Sequence, residues 1–162
     1  MCNYMKGSLS VSVFIKRIEH ILTYQRLIDG KLYPECFANH KKGSYNTYCH
    51  SAKTRNLELS ITNDDYNSIT ENPCHICGKI NNELNENGID RIDSSVGYIL
   101  ENTKSCCAEC NYMKIDYGFD DMLTKCILIY NLHKNTDHKI EVVIRTNRFT
   151  MRSSIKNDEI SS

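Results

Sequence analysis

The chain has 162 residues, the length of one domain or of one domain with a tail. Its 20 basic and 20 acidic residues give a formal net charge of zero, which excludes a protein that binds nucleic acid through bulk positive charge alone. No segment resembles a signal peptide, and no apolar run reaches the roughly 18 residues of a membrane span. We therefore expect an intracellular protein of a reducing compartment that does not enter a membrane.

The first predicted element is an amphipathic helix between Val11 and Ile28, where apolar side chains recur at helical spacing until Gly30 ends the pattern. Residues 39–57 then carry basic residues and no acidic one. This segment is either a solvated loop and helix or a surface that contacts DNA phosphates, with Lys53 and Arg55 as candidate contacts. Residues 64–93 are strongly acidic, so the two signs of charge are segregated along the chain.

The next predicted elements are a short strand, LELSI at 57–61, and a helix that begins near Thr62. Thr62 is a favourable capping residue, and the acidic side chains that follow it suit the helix dipole. Further along the chain we predict two short strands, GIDRI and TKSC, and a helix that starts in CAECNYMK. A second helix is predicted over FDDMLTKCILIYNLH with Cys126 in its buried face, then a terminal strand, KIEVVIRTNRF, and a disordered end.

The nine cysteines contain two pairs with the spacing of zinc ligands. Cys74 and Cys77 form one C-x-x-C, and Cys107 and Cys110 form the other. Two such turns suit a tetrahedral Zn²⁺ held by four thiolates, whereas an odd cysteine count without a secretion signal argues against a disulfide framework. The alternative is two unrelated thiol pairs. Cys106 could replace Cys107, but the spacing to Cys110 favours Cys107.

Two oxygen-bearing side chains between and beside the cysteine pairs form a candidate site for a second metal. Asp90 lies on the first predicted strand, and Asn111 lies at the start of the helix after the second. A Mg²⁺ ion held by two protein groups keeps several waters and takes further ligands from a phosphate. The alternatives are a turn acid for Asp90 and a helix cap for Asn111.

The stretch GIDRIDSSVGYILENTKSCCAECNYMK resembles the core of the HNH, or ββα-metal, endonucleases. It is most similar to the PacI-like subgroup, which has a four-cysteine zinc site and an arginine after the metal-binding aspartate, and to phage and large-virus members. The resemblance covers about residues 44–130. It implies an α+β fold, one structural Zn²⁺, a catalytic Mg²⁺ or Mn²⁺, DNA as the substrate, and a homodimer.

The resemblance also assigns roles to individual residues. It implies that Asp90 and Asn111 hold the catalytic metal, that Asn102 braces the loop between the strands, and that Lys114 contacts DNA. Arg91 stands where most members have the histidine that serves as general base. Arginine cannot accept a proton at neutral pH and is suited to clamping a phosphate.

The sequence therefore does not identify the general base. Tyr66 lies eight residues before Cys74, where the PacI-like enzymes have a tyrosine that is the proposed base. An alignment on the preceding strand and helix instead places Tyr66 in the core. His75 is a weaker candidate, and water activated by the metal alone is the third.

These observations predict a metal-dependent DNA endonuclease or nickase. The expected organisation is a helical extension at 1–43, the endonuclease domain at 44–134, and a strand and tail at 135–162. One rival interpretation is a zinc-ribbon protein that binds nucleic acid without catalysis, in which Arg91 marks a lost active site. The other is a structural zinc module that binds protein. The presence of both Asp90 and Asn111 favours the enzyme, which needs both ligands.

Overall fold

The structure is a computed structural model, and it describes residues 5–134. The fold class is α+β, as predicted. The helices and strands, in chain order, are α1 Val11–Tyr24, α2 Tyr45–Thr54, α3 Asn63–Thr70, β1 Gly88–Arg91, β2 Thr103–Cys106, α4 Ala108–Lys114 and α5 Phe119–His133. Short 3-10 turns lie at Pro34–Cys36 and Leu100–Asn102. Within 5–134, every helix is too short or too polar to cross a membrane.

A two-stranded antiparallel sheet followed by a helix forms the centre of the fold. Gly88 of β1 lies opposite Cys106 of β2, and Arg91 lies opposite Thr103. Cys107 alone separates β2 from α4 and serves as its N-cap residue. The predicted order of strand, loop, strand and helix is therefore present, and it fixes the side chains of β1 against the start of α4.

The N-terminal helix α1 begins at Val11 as predicted but ends at Tyr24, before the predicted end at Ile28. The chain turns there because Arg26 adopts a left-handed backbone conformation, with φ of 58°. The buried face of α1 packs in one core with α5 and with the cysteine turns. Cys126 of α5 is fully buried in this core, as predicted.

Further contacts tie α1 to the ββα unit. Arg17 of α1 is buried and forms an ion pair with Glu109 in the first turn of α4. His40 reaches the other oxygen of the same carboxylate at 3.0 Å. Residues before position 44 thus share a core and an ion-pair network with the cysteine-bearing segments.

A second, smaller core lies under α2 and α3. The prediction of a helix from Thr62 is confirmed, because the Thr62 and Asp65 side chains and backbones bond reciprocally in a capping box at the start of α3. The buried residues of this core are Ala52, Ile61, Tyr66, Ile89 and Tyr98.

The predicted strand at 57–61 is wrong. In this segment Leu59 makes a single bridge to Tyr98 of the loop between the strands, and no regular ladder forms. The segment crosses the loop at Gly97, where a Cβ atom would lie 2.3 Å from the Glu58 carbonyl oxygen. The alternating apolar residues of this segment pack in the second core and against the loop that contains Tyr98, without pairing as a strand. The predicted terminal strand lies outside the described residues.

Candidate metal centre and nucleic-acid interface

The four predicted cysteines come together in one buried cluster. The sulfur atoms of Cys74, Cys77, Cys107 and Cys110 all lie within 4.8 Å of one another. Cys77 Sγ lies 3.7 Å from Cys107 Sγ. A tetrahedral zinc with Zn–S bonds of about 2.3 Å separates its sulfurs by about 3.8 Å. The cluster therefore fits a Zn²⁺ ion.

Burial and mutual contact set the proton affinity of these thiols. Burial raises the pKa of the Cys110 thiol, while bonds from the surrounding thiols, first among them Cys106, lower the pKa of Cys74. The neighbouring thiols thus favour the thiolate at Cys74, whereas burial favours the protonated thiol at Cys110. Zinc displaces such protons when it binds.

Helix α1 covers the first cysteine turn. His20 Nε2 lies 2.8 Å from the Cys77 carbonyl oxygen. The Gln25 amide donates to the carbonyl oxygens of His75 and Ile76, at 2.7 and 2.9 Å. Gly78, at φ of 75°, closes the turn where a Cβ atom would meet the Tyr24 ring at 2.3 Å. These contacts satisfy the turn's carbonyl groups and exclude water from its sulfurs.

Asp90 lies at the centre of the second cluster. Its side chain is 4% exposed, and its two oxygens face different partners. Oδ1 accepts a hydrogen bond from Lys114 Nζ of α4 at 3.1 Å. Oδ2 lies 3.2 Å from His75 Nε2, which comes from the first cysteine turn. The ββα unit and the cysteine turn therefore converge on this carboxylate.

Lys114, a predicted DNA contact, lies inside the protein instead. It has no exposed surface, and its ammonium donates to Asp90, to the Arg91 carbonyl oxygen at 2.7 Å and to Ser94 Oγ at 3.3 Å. A buried ammonium with these partners cannot reach a phosphate on the surface, which contradicts the prediction that Lys114 contacts DNA. Its place on α4 gives it the role of orienting Asp90.

The predicted metal ligand Asn111 lies one turn before Lys114 on α4. Its side-chain amide nitrogen donates to the Ile89 carbonyl oxygen of β1 at 3.4 Å. The amide oxygen is therefore the atom of this side chain that could bind a metal. Asn111 is half-buried and lines a surface cavity of about 590 Å³ together with Arg55, Ala108, Tyr112, Ile115 and Asp116.

The cavity carries a strained residue and an exposed aromatic ring. Ile115 ends α4 at φ of 59°, a conformation that β-branched residues rarely adopt. Tyr112 is 63% exposed. Arg55 is exposed at the end of α2, and Lys53 is exposed two residues earlier. The structure thus brings the predicted contact Arg55 to the same concavity as Asn111.

Asn102 and Arg91 both bind the loop between the strands. Asn102 Oδ1 accepts from the Asp93 amide at 2.8 Å, and its Nδ2 donates to the carbonyl oxygens of Asp93 and Gly97. Arg91 Nη1 donates to the Ser94 and Val96 carbonyl oxygens at 2.7 and 2.9 Å.

Arg91 also lies over the Tyr98 ring and is 6% exposed. A role in clamping a phosphate would require its guanidinium to leave the loop carbonyls. In the described arrangement it positions the loop. Asp90 and Arg91 point to opposite faces of β1, as their adjacency on a strand requires.

Tyr66 lies in the second core and is 2% exposed. Its hydroxyl donates a hydrogen bond to the Gly43 carbonyl oxygen. Burial raises the pKa of the phenol to about 12. A phenol that is protonated at neutral pH and already donates its proton to the backbone is poorly suited to serve as a base, so we do not retain Tyr66 in that role.

Sequence reasoning gave Cys106 no metal-binding role of its own. Its sulfur belongs with His75 and Asp90 to a group whose ligand atoms all lie within 4.8 Å of one another. It also lies 4.0 Å from Cys74 Sγ, so it adjoins both clusters. The signal in the sequence was the position of His75 and Cys106 next to cysteines of the first cluster: His75 follows Cys74, and Cys106 precedes Cys107.

The fold and the site together define a small α+β protein in which a buried four-cysteine cluster joins the turn at 74–77 to the end of a two-stranded sheet and the helix that follows it. No protein-family model matches the chain. The chain is 35% identical over 149 residues to an uncharacterized protein of Acanthamoeba polyphaga mimivirus, covering 92% of this chain and 28% of that protein. It therefore spans little more than a quarter of the length of this relative. Its structure is also similar to that of the rare-cutting HNH restriction endonuclease PacI, with a TM-score of 0.41 and 20% identity over 55% of this chain and 75% of that chain.

Proposed function

We propose that the protein is a metal-dependent DNA endonuclease or nickase that hydrolyses phosphodiester bonds at a ββα-metal site. The observation that carries this proposal is the position of Asp90. It is a buried carboxylate on β1 that the adjoining helix and the first cysteine turn both contact. The ordered sequence motifs around it support the same function.

The residues of the ββα unit have separate roles in this proposal. Asp90 and Asn111 supply oxygen ligands for a divalent cation, for which the resemblance implies Mg²⁺ or Mn²⁺. When bound, such an ion stabilises negative charge on the scissile phosphate and lowers the pKa of water. Asn102 and Arg91 hold the loop that follows β1. The four cysteines bind a structural Zn²⁺ that fixes α4 against β1.

DNA binding is proposed for the surface around the cavity. Arg55 supplies positive charge in the cavity wall, and Lys53 is exposed two residues before it. Tyr112 offers an exposed ring on which a base can stack. The giant-virus relative supports a viral protein that acts inside a host cell, where cysteines stay reduced and available for zinc.

One observation favours a second function, that of a nucleic-acid-binding zinc protein without catalysis. The Lys114 ammonium already neutralises Asp90 from inside the protein. A relic of an enzyme could keep this ion pair for stability alone, since removing one partner of a buried pair costs about 3–5 kcal/mol.

A plasmid assay separates the two functions. Supercoiled DNA is incubated with the protein and Mg²⁺, Mn²⁺, Co²⁺ or Zn²⁺ in turn, and relaxed and linear products are resolved on a gel. The enzyme should nick DNA with at least one cation, and EDTA should stop the reaction. If the protein binds DNA but does not cleave it with any of these cations, the protein is the non-catalytic zinc protein and not an endonuclease.

The double variant Lys53→Ala/Arg55→Ala should bind DNA more weakly whatever its sequence, because both side chains contribute charge and not base-specific contacts. Loss of two phosphate contacts should reduce the slope of log affinity against log salt by about 2. Fluorescence anisotropy across a salt series measures both quantities. A matched control is Lys16→Ala/Lys31→Ala, which removes two charges near Tyr33, away from the cavity. Equal slopes in the two double variants would contradict the proposed surface.

Tyr66→Phe should leave cleavage near the wild-type rate, because the phenol donates to the backbone and takes no part in the chemistry. Its free energy of unfolding should fall by about 1 kcal/mol through loss of one hydrogen bond. Urea denaturation and the plasmid assay give the two numbers. A drop in cleavage without a drop in stability would restore the tyrosine as base.

A further inference from the structure

We propose that His75, Asp90 and Cys106 form a second metal site beside the four-cysteine cluster, for a borderline transition-metal ion such as Zn²⁺ or Co²⁺ and not for Mg²⁺. Because Asp90 is needed by both, an ion bound here takes the place of the oxygen-bound ion proposed between Asp90 and Asn111. The ligand atoms are His75 Nε2, Asp90 Oδ2 and Cys106 Sγ, which lie within 4.8 Å of one another. His75 Nε2 and Asp90 Oδ2 are 3.2 Å apart. Two ligands at about 2.0–2.1 Å from a tetrahedral ion are separated by about 3.3 Å, so the pair already has the required spacing.

Two of the three ligands lie next to cysteines of the four-cysteine cluster, so the same chain segments place both groups. Cys74 faces the first cluster while the next residue, His75, faces the second. Cys107 faces the first cluster while the preceding residue, Cys106, faces the second. In each of the two segments, one residue therefore belongs to the four-cysteine cluster and its neighbour belongs to the second group. The His75 amide donates to the Ser105 carbonyl oxygen at 2.9 Å, which holds the two segments together.

The sheet register brings Asp90 to the same place. Gly88 lies opposite Cys106, so Asp90, two residues further along β1, projects from the same face as Cys106. Such diagonal neighbours are within reach of each other's side chains. The site is therefore part of the ββα core and does not depend on a surface loop.

Lys114 orients the carboxylate for this purpose. Its ammonium binds Asp90 Oδ1, while Oδ2 faces His75. Carboxylates that bind metals are commonly held by an outer hydrogen bond of this kind. The ammonium is itself fixed by Arg91 and Ser94, so it cannot swing into the position between the three ligands.

The ligand types decide which ions fit. A thiolate and an imidazole favour Zn²⁺, Co²⁺ or related ions, whereas Mg²⁺ prefers oxygen ligands alone. Three protein ligands are also the usual number at catalytic zinc sites, where a further position is left for water or substrate. The inference rests on the proposed function in this respect: a water-activating ion of this class removes the need for a side-chain base, which neither Arg91 nor Tyr66 supplies.

Cobalt substitution of the full-length protein tests the site without reference to activity. The metal-free protein is titrated with Co²⁺ while its absorption spectrum and bound metal are measured. Wild type should bind two ions per chain, the second adding weaker thiolate-to-cobalt charge transfer than the first because it has one sulfur ligand. Cys106→Ala should lose the thiolate-to-cobalt component of the second ion and bind that ion more weakly, because only oxygen and nitrogen ligands remain there. The control Cys49→Ala, which removes a half-buried thiol of α2 outside both clusters, should bind two.

His75→Gln keeps the test valid if Cys106→Ala does not fold, because His75 is partly exposed and its loss leaves no large cavity. This variant should bind the second Co²⁺ roughly 100-fold more weakly or worse, since loss of even an outer partner of a metal ligand costs about 10–100-fold. A wild-type protein that binds a single ion, or variants that bind the second ion as wild type does, would overturn the inference.

Activity measured in parallel separates this inference from the proposed function. Two bound ions without cleavage of any DNA would sink the endonuclease and leave the metal site standing. Cleavage by a wild-type protein that binds a single Co²⁺ ion would sink the metal site and leave the endonuclease standing.

Discussion

Asp90→Asn should abolish plasmid cleavage while DNA affinity and the zinc held by the four-cysteine cluster stay close to those of the wild type. The change removes the charge of the carboxylate on which the proposed catalytic ion depends and keeps the shape of the side chain. Stabilisation of transition-state charge by a metal is worth several kcal/mol, so the rate should fall by roughly 10³-fold or more. Initial rates of nicking at matched DNA occupancy give the ratio.

Asparagine is the better test than alanine at this position because its amide oxygen can still accept a hydrogen bond from the buried Lys114 ammonium. Removing the Asp90 charge leaves the Lys114 ammonium without its counter-ion, and an unpaired buried charge costs about 3–5 kcal/mol. Thermal unfolding of Asp90→Asn must therefore be measured beside its activity. The matched control is Asp64→Asn, an exposed carboxylate in the first turn of α3, which should cleave normally. Equal cleavage by Asp90→Asn and wild type would refute the proposed site.

Cys107→Ser should destabilise the protein by several kcal/mol and release its structural zinc. The four sulfurs join the turn at 74–77 to the start of α4, and structural zinc contributes about 10–16 kcal/mol of binding free energy in small domains that fold around it. The core around α1 and α5 retains part of the fold, so the loss should be smaller than that figure. Urea denaturation with zinc analysis of the purified protein measures it.

The control for this variant is Cys36→Ser, a half-buried cysteine next to α1 that belongs to neither cluster. It should retain one structural zinc and nearly normal stability. A Cys107→Ser protein that is metal-free and as stable as the control would show that the four thiols pack together without a structural ion.

The sequence was informative wherever local chemistry decides the structure. The C-x-x-C spacing predicted the sulfur cluster because each pair fits one tight turn around an ion. Thr62 predicted the start of α3 because a capping box is satisfied within four residues. The strands on either side of the loop and helix α4 were also correct, since short β-rich segments bounded by glycine and turn residues have few alternatives.

The sequence failed where the fold brings distant residues together. Lys114 was predicted to contact DNA, but it is buried against Asp90, which lies 24 positions earlier in the chain. The segment at 57–61 has the alternation of a strand, but its partner is the loop at Tyr98. His75, Asp90 and Cys106 lie close together because the sheet register places Asp90 beside Cys106 and the cysteine turn adds His75. Both long-range features are needed, and the sequence shows neither of them.

Helix α1 has a consequence for how long a bound zinc ion would stay in place. The helix binds three successive carbonyl groups of the cysteine turn through His20 and Gln25, and the Tyr24 ring closes over Gly78. A competing thiol or chelator can approach the sulfurs of this turn only after these contacts separate. The rate at which the ion dissociates therefore depends on how often α1, some 50 residues away in sequence, separates from the cysteine turn. Measuring metal exchange would thus measure the opening of the N-terminal region.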